Sequence, residues 1–543
     1  MSARRVRAEA DGPPPASSRP WAAGVWAADL LRPSREALAG LSLGGSSLRL
    51  SAANLVFVLL STLQVLVAGA VFGTSRRYEL FLLAWLVPEW CLFGLGNVLQ
   101  MHLTPALMEV AAGSGRGELR TAASRLFLAA LVFLGAVAGL GWMLAPWLVP
   151  VVAPGLGPSD LGETVRLFRW LLPTAAALGM VKLLGTLHRV NHSLVLVSLS
   201  QSVTPVLVAG LLLTAPRLGA WAFVLGFTGG ALAQLALLLP APIAWGDLRP
   251  DRRLYHPVMN ELARATLPLL FATTGFRLVV FLDRVIASSL APGDVAVLRY
   301  AFLFLVAAQG VLVLPVLSVG YNRLAQLAAV GARDQGRVVL LLLEVLWLLV
   351  IPLTLAEVIF AEPLVQVLLE RRAFGPEAVM RTAGVLAAYA PTLPFAVGFS
   401  VALQAFLSRR RVGFVAALAV AFPLAGVPLK VALGHAWGIY GMALGTPLVM
   451  AAWFLVLLVP LLAAADQAAR RRLLRILLAL LAAVVSVLVT LGAAEPFLPL
   501  TPLLRIVVGS AALAATYALV LWALARRAIV LVWRDLAGTR MGT

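Results

Sequence analysis

Apolar residues fill this chain in stretches of about 20, the length at which a helix crosses a bilayer core. They run from about Leu48 to about Leu524, separated by short connectors rich in Arg, Pro and Gly. Fourteen such stretches stand out. They are centred near Leu60, Gly94, Gly135, Ala177, Val203, Gly229, Gly275, Val306, Val350, Val397, Val420, Met450, Val484 and Ala514. The pattern predicts an all-α polytopic membrane protein of fourteen transmembrane helices. No connector is long enough for a separate folded domain, and the widest, 245–264, is charged.

Composition agrees with a lipid solvent. Of 543 residues, 61% are hydrophobic and 12% charged. Soluble domains are roughly 25% charged. The mean hydropathy is +0.95. The first 45 residues lack the apolar core of a cleavable signal and read as a loose tail, with Pro13-Pro14-Pro15 and Ser17-Ser18. Within it, Trp21 to Leu41 has the amphipathic character of a short interfacial helix. Cys91 is the single cysteine, which excludes an intrachain disulfide and a multi-thiolate metal site.

A net charge of +19 suggests nucleic acid in a soluble protein, but here its placement argues otherwise. Arginines cluster in alternate loops: Arg116/Arg120/Arg125, Arg249/Arg252/Arg253, Arg323/Arg333/Arg337, Arg409/Arg410/Arg411 and Arg470/Arg471/Arg472/Arg475. The intervening loops hold most of the acids: Asp160, Glu163, Asp294, Glu362, Glu370, Glu377 and Glu495. The first set carries roughly twice the Lys/Arg of the second, the bias of cytoplasmic loops. Both basic termini fall on the same side, as an even span number requires.

Two segments of the chain resemble each other. Pro173 to Pro205 and Pro391 to Pro423 are each 32 residues apart, with a basic turn between the prolines. Downstream, Gly219-Ala220-Trp221 matches His435-Ala436-Trp437. The offset, 216 to 218 residues, corresponds to six helices. An even number keeps both copies in one orientation, so the axis relating them runs along the membrane normal, a transporter plan. We therefore divide the chain into a cytoplasmic N-terminal tail (1–45) and an N-lobe of spans one to six (46–245). A C-lobe of spans seven to twelve (246–465) follows, then spans thirteen and fourteen with a cytoplasmic C-terminus (466–543).

Several stretches carry a recognisable pattern: Ala361-Glu362-Pro363-Leu364-Val365, Leu369-Glu370-Arg371-Arg372-Ala373-Phe374 and Ala387-Ala388-Tyr389 around spans nine and ten. Further stretches are Gly434-His435-Ala436-Trp437-Gly438, Leu282-Asp283-Arg284-Val285-Ile286-Ala287-Ser288, and Phe72-Gly73 through Phe81 to Pro88. Together they resemble the MurJ/MviN lipid II flippase family of the multidrug/oligosaccharidyl-lipid/polysaccharide (MOP) exporter superfamily. The resemblance implies two lobes, a bacterial cytoplasmic (inner) membrane location, and alternating access for an undecaprenyl-diphosphate-linked saccharide. It implies peptidoglycan synthesis, with lipid II or a related glycan precursor as cargo. Where the family carries cavity arginines in span one, this chain has Gln64 and Val58; where it carries an Arg and a Glu in span eight, this chain has Leu303 and Val306; where it carries an arginine pair after Pro88, this chain has Leu92 and Phe93. Several contacts to the lipid diphosphate that the resemblance implies are therefore missing, and another polyprenyl-diphosphate-linked glycan is an alternative cargo.

Charges inside spans are costly and mark function by default. Arg277 and Arg284 lie two turns apart on one face of span seven, a stripe that suits two forks on a diphosphate. Asp283 is a further candidate for the substrate site; it points about 100° away from Arg284, toward a partner on another helix, and an Asp283–Arg salt bridge that only pins helices is the structural alternative. Lys182 in span four is a candidate cavity cation from the opposite lobe. Lys430, near the end of span eleven, reads as snorkelling to an interface. Glu79, Glu89 and Glu357 are candidates for coupling or gating, and Glu344 reads as solvated. Arg76 and Arg77 stand beside Glu79 as possible pairing partners. His188 and His192 have the i, i+4 spacing of a metal pair, but no third ligand is near in sequence.

We expect no metal, no cofactor beyond a coupling proton or sodium ion, no nucleic-acid partner, no enzymatic activity, and a monomer among membrane lipids. The competing readings are an exopolysaccharide or O-unit flippase, a cation-coupled drug exporter, a polytopic glycan-processing enzyme and a transport-dead scaffold. Paired arginines argue against the drug exporter. Short outer loops argue against the enzyme.

Overall fold

The computed structural model describes residues 43–90, 94–113, 115–190, 194–239, 275–310, 335–408, 412–494 and 501–538. Its described residues are helical with short turns and no strand, the outcome required when lipid offers no partner to backbone N–H and C=O groups. The expected interfacial helix at 21–41 and the wide connector at 245–264 lie outside the described residues.

In the N-terminal half, α1 is Leu43–Phe72, α2 is Arg76–Pro88, α3 is Gly94–Gly113, α4 is Gly115–Val152 and α5 is Pro158–Val190. Then come α6 (Leu194–Gln201), α7 (Val203–Thr214) and α8 (Trp221–Leu238). The C-terminal half opens with α9, helical over 275–287, and α10 (Asp294–Ala308). It continues with α11 (Gln335–Ile359), α12 (Ala361–Leu369), α13 (Pro376–Tyr389) and α14 (Thr392–Ser408). It ends with α15 (Val412–Ala464), α16 (Gln467–Ala494) and α17 (Pro502–Gly538).

Ten helices among the described residues are long and apolar enough to cross a membrane. One of them, α15, is a hairpin of two spans. Its backbone leaves helical geometry at Trp437 and Gly438, the latter at φ 60°. Gly441 then lies against Leu433, Gly445 against Lys430 and Gly426 against Val449. Those pairs share a nearly constant sum of residue numbers, which only an antiparallel return produces. The small residues at 441 and 445 thus serve close packing inside the bundle. Expected spans two, seven and eight each run into residues outside the described set.

The helices bury their apolar faces in three cores, and the distribution of those cores positions the site. One core contains residues of both halves: Phe72, Tyr78 and Phe81 with Phe223 from the first, Tyr300, Phe374 and Leu386 from the second. Tyr78 and Tyr300 stack at 5.6 Å, and Phe374 meets Tyr300 edge-on at 5.2 Å. This core lies near the turns at 73–75, 153–157, 215–220 and 370–375, the end opposite the arginine loops. Of the other two, one lies toward the arginine-loop end and one runs along the depth of its half, and each belongs to one half. Leu103, Leu107, Leu119, Leu184 and Leu187 form the first. Leu343, Leu346, Val401, Trp453 and Leu457 form the second, extended by Leu480 of α16 and Leu521 of α17. Among the described residues, apolar burial of about 25 cal/mol per Å² therefore joins the halves through the first core only.

Helices α16 and α17 attach to the C-terminal half. Tyr517 donates to the carbonyl of Leu348 at 3.0 Å, and Arg472 pairs with Glu344 at 2.9 Å. Glu344 is fully buried, which corrects the solvated reading. The sequence shows its position near a loop but hides α16, which folds back to cover it.

Candidate substrate cavity and closure

Helix α9 carries Asp283 and Arg284 on faces about 100° apart, and the structure sends them to different halves. Asp283 turns into its own half and is completely buried. Lys430 Nζ donates to Oδ1 at 2.5 Å, while Tyr389 and Thr446 donate hydroxyls to Oδ2 at 2.7 and 2.9 Å. The cluster ties α9 and the junction after α13 to both arms of the α15 hairpin. Lys430 is 1% exposed, so its ammonium does not snorkel, and that reading is corrected. The cause is local: Asp283 offers a carboxylate at the same depth, and a buried charge is retained when paired and hydrogen-bonded. Asp283 is thus a fastening of the C-terminal half, with a lysine where an arginine was the expected partner.

Arg284 crosses to the N-terminal half and meets Glu89 at 3.2 Å. Its guanidinium is buried, while the Glu89 side chain is 40% exposed. Two residues read separately, one as a phosphate ligand and one as a coupling acid, are partners.

Arg277 on α9 and Lys182 on α5 belong to different halves. Arg277 stands seven residues before Arg284 on α9, about 10 Å nearer the arginine-loop end at 1.5 Å per residue. Lys182 on α5 donates to Gln201 at 3.3 Å and lies within electrostatic reach of Arg277 and of Arg189. One cation from each half therefore approaches the other.

Above this level the halves are locked by a polar network. Glu79 on α2 is fully buried and accepts the backbone N–H groups of Gly293 and Val295 at the start of α10, at 3.0 and 3.1 Å. Arg76 bridges Glu79 at 2.6 Å and Asp160 at 2.9 Å. Asp294 caps Ala291 and takes Arg381 at 2.6 Å. Tyr300 donates to the carbonyl of Gly73, and Ala373 N–H to that of Ala70. The backbones touch as well: a Cβ on Gly155 would fall 1.9 Å from the Ser288 carbonyl oxygen. Gly73, at φ 54°, gives the same close approach to Ala373.

Glu357 on α11 is buried, and its Oε2 has no hydrogen-bond partner among the described residues. His188 is buried with Nε2 against the Leu238 carbonyl at 2.9 Å, and His192 lies outside the described residues. No cluster of metal-ligating side chains occurs among the described residues. Sequence reading missed Asp160, Asp294 and Arg381 as network members. The signal was present in the alternation of acids near the ends of spans, but nothing in spacing pairs them.

The family model for lipid II flippase MurJ matches residues 68–507. A protein of Synechocystis sp. described as a probable lipid II flippase MurJ is 26% identical over 383 residues, covering 65% of this chain and 69% of its own. The lipid II flippase MurJ of Burkholderia cenocepacia is 25% identical over 344 residues, 60% and 65% of the respective chains. Among solved structures, a lipid II flippase MurJ in an inward closed conformation aligns with a TM-score of 0.71 and 15% identity, over 88% of this chain and 99% of that one. An inward-facing multidrug resistance MATE family transporter of the MOP superfamily aligns at 0.62 and 13%, over 79% and 98%. Those two likenesses bear on fold alone. The family match covers most of the chain and spans both halves, the closure and the cations between them, and the chain belongs to the lipid II flippase MurJ family.

Proposed function

We propose that the chain carries an undecaprenyl-diphosphate-linked saccharide of the lipid II class across the bacterial cytoplasmic membrane by alternating access, with no covalent step. The arginine loops and both termini face the cytoplasm in this reading, as the positive-inside bias favours. The carrying observation is the pairing of a one-sided closure with cations from both halves beneath it. The shared core and the Glu79 network shut the outer end. Below them Arg284, Arg277 and Lys182 offer positive charge at falling depth toward the cytoplasm. A diphosphate entering from the cytoplasm meets Lys182 and Arg277 first. It then competes with Glu89 for Arg284, whose fork suits phosphate oxygens. Asp283 holds α9 in place and makes no contact with cargo.

Closing the cytoplasmic end around the cargo requires opening the outer network. Coupling to a proton or a sodium ion falls, in this reading, to Glu79, Glu89 or Glu357. Glu357 is favoured by a buried oxygen that has no hydrogen-bond partner among the described residues.

The test is binding and flipping of lipid II in proteoliposomes by the Arg277→Ala/Arg284→Ala double variant. Each charge-assisted contact is worth about 1.5–3 kcal/mol, so each loss should weaken binding about tenfold or more. Arg→Lys should rescue only in part, because it keeps the charge and loses the fork. Full flipping by the double variant would end the cavity assignment. A panel with undecaprenyl-diphosphate-linked exopolysaccharide units separates lipid II from the related glycans.

A further inference from the structure

On the membrane-facing side of the N-terminal half, α4, α5 and α8 enclose an apolar groove of about 460 Å³. Leu131, Gly135 and Gly139 of α4 line it, with Pro173 and Ala177 of α5 and Leu235 of α8. None of the closure residues or cations named above lines it. The α4 residues fall at three- and four-residue steps and form one stripe of the helix. A Cβ on Gly135 or Gly139 would meet nothing within 4 Å. The groove exists because these glycines leave space that no neighbour fills.

Three tryptophans mark the level at which the groove ends. Trp142 of α4 closes it, Trp170 meets Trp142 edge-on at 6.3 Å, and Trp221 meets Trp170 at 6.5 Å. Trp221 is also the first residue of α8. Trp at this density marks a membrane–water interface. From Trp142 down to Leu131 is eleven residues, about 16 Å at 1.5 Å per residue, or half of a ~30 Å hydrocarbon core. The groove is therefore one leaflet deep.

Charge at its mouth completes the pattern. Arg169 sits over the Trp142 ring at 5.9 Å, and its Nε donates to the Trp142 carbonyl at 3.2 Å. Its two terminal nitrogens have no acidic partner among the described residues. The neighbouring acid, Glu163, is occupied by Arg166 and by Trp221 Nε1.

We infer that this groove binds one acyl chain of an anionic glycerophospholipid such as phosphatidylglycerol, with its phosphate on Arg169. Depth fits an acyl chain, and the unneutralised guanidinium at headgroup level selects anionic over zwitterionic lipid. With the orientation proposed above, the lipid belongs to the outer leaflet. Its place is on the lobe's outer flank, away from the cargo route.

The test is native mass spectrometry of delipidated full-length protein titrated with phosphatidylglycerol, phosphatidylethanolamine of the same chains, and undecaprenyl phosphate. One phosphatidylglycerol should bind with about tenfold preference over phosphatidylethanolamine, the worth of one charge-assisted hydrogen bond. Gly135→Leu/Gly139→Leu fills the groove on helices that tolerate leucine and should remove the bound lipid. Arg169→Gln should keep lipid binding and lose the headgroup preference. Equal phosphatidylglycerol binding by the filled variant would overturn the assignment. Tighter binding of undecaprenyl phosphate would make the groove a polyprenyl site and overturn it too. Should the filled variant not fold, a photoactivatable phosphatidylglycerol on wild-type protein decides: labelling within 131–142 and 173–180 supports the groove, and labelling elsewhere rejects it.

Discussion

The two ends of this molecule are built on opposite principles. At the end opposite the arginine loops, residues from both halves share one aromatic core and a chain of part-buried and buried polar contacts from Asp160 through Arg76 and Glu79 to the start of α10. At the arginine-loop end, each half keeps a core of its own. The difference teaches where a transporter of this kind can bend. Each half is held by contacts that need not change, while among the described residues the joint between halves rests on a single face. That joint mixes apolar stacking with directional hydrogen bonds to backbone, and such bonds are lost together once the surfaces part. Glu79 illustrates the design. Its carboxylate is desolvated, yet every donor it uses lies at the seam or one helical turn away.

The largest effect should come from a contact that stays within one half, which makes it a control for the comparison. Lys430→Met leaves the Asp283 charge buried without its cation, a loss of about 3–5 kcal/mol. The midpoint of thermal unfolding in detergent should fall steeply, and Lys430→Met/Asp283→Asn should recover most of it. Protein that survives should keep its outer end as closed as wild type. A change of closure in the double variant would show that the cluster belongs to the seam after all.

Next in size is a wedge at the seam. Gly155→Val places side-chain atoms where the Ser288 carbonyl stands. Overpacking costs about 1–3 kcal/mol, enough to shift the closed population about 5- to 150-fold at about 1.4 kcal/mol per decade. Spin labels at 159 and 377, in a Cys91→Ser background, should report a longer distance across the outer end, while unfolding shifts little. An unchanged distance with lowered stability would place Gly155 in the fold of one half.

Much of this was legible in the sequence. Helical class follows from composition and period, because lipid leaves the backbone few options. The candidate charges Arg277, Arg284, Glu79 and Glu89 were visible because charge inside an apolar run is conspicuous. Their partners were not. Asp283 lies 147 residues from Lys430 and Glu89 lies 195 from Arg284. No local rule connects positions so far apart. Lys430 was misread because two lysines with the same local sequence character can differ only in what faces them. The lipid groove was invisible for a related reason: Gly135 and Gly139 look like ordinary transmembrane glycines until the absence of a neighbour is seen.

The smallest effect is the most discriminating, because its sign differs between readings. Glu89 is 40% exposed, so its pair with Arg284 contributes only about 0–1 kcal/mol to holding the halves. Glu89→Gln should therefore barely move the unfolding midpoint or the label distance. It also removes the carboxylate that a diphosphate has to displace from Arg284. Lipid II should then bind more tightly, by up to about fivefold at about 1.4 kcal/mol per decade. Arg284→Ala should weaken binding, so the two ends of one ion pair give opposite signs. Binding isotherms on the two single variants and the double variant separate the cases. If Arg284 serves only as a strut, both single variants weaken binding alike through loss of the pair. If it serves the cargo, Glu89→Gln tightens binding in the presence of Arg284 and does nothing once Arg284 is gone. That dependence on Arg284 is what an exchange of partners requires. It would fix the level at which the cargo first loosens the joint between the halves.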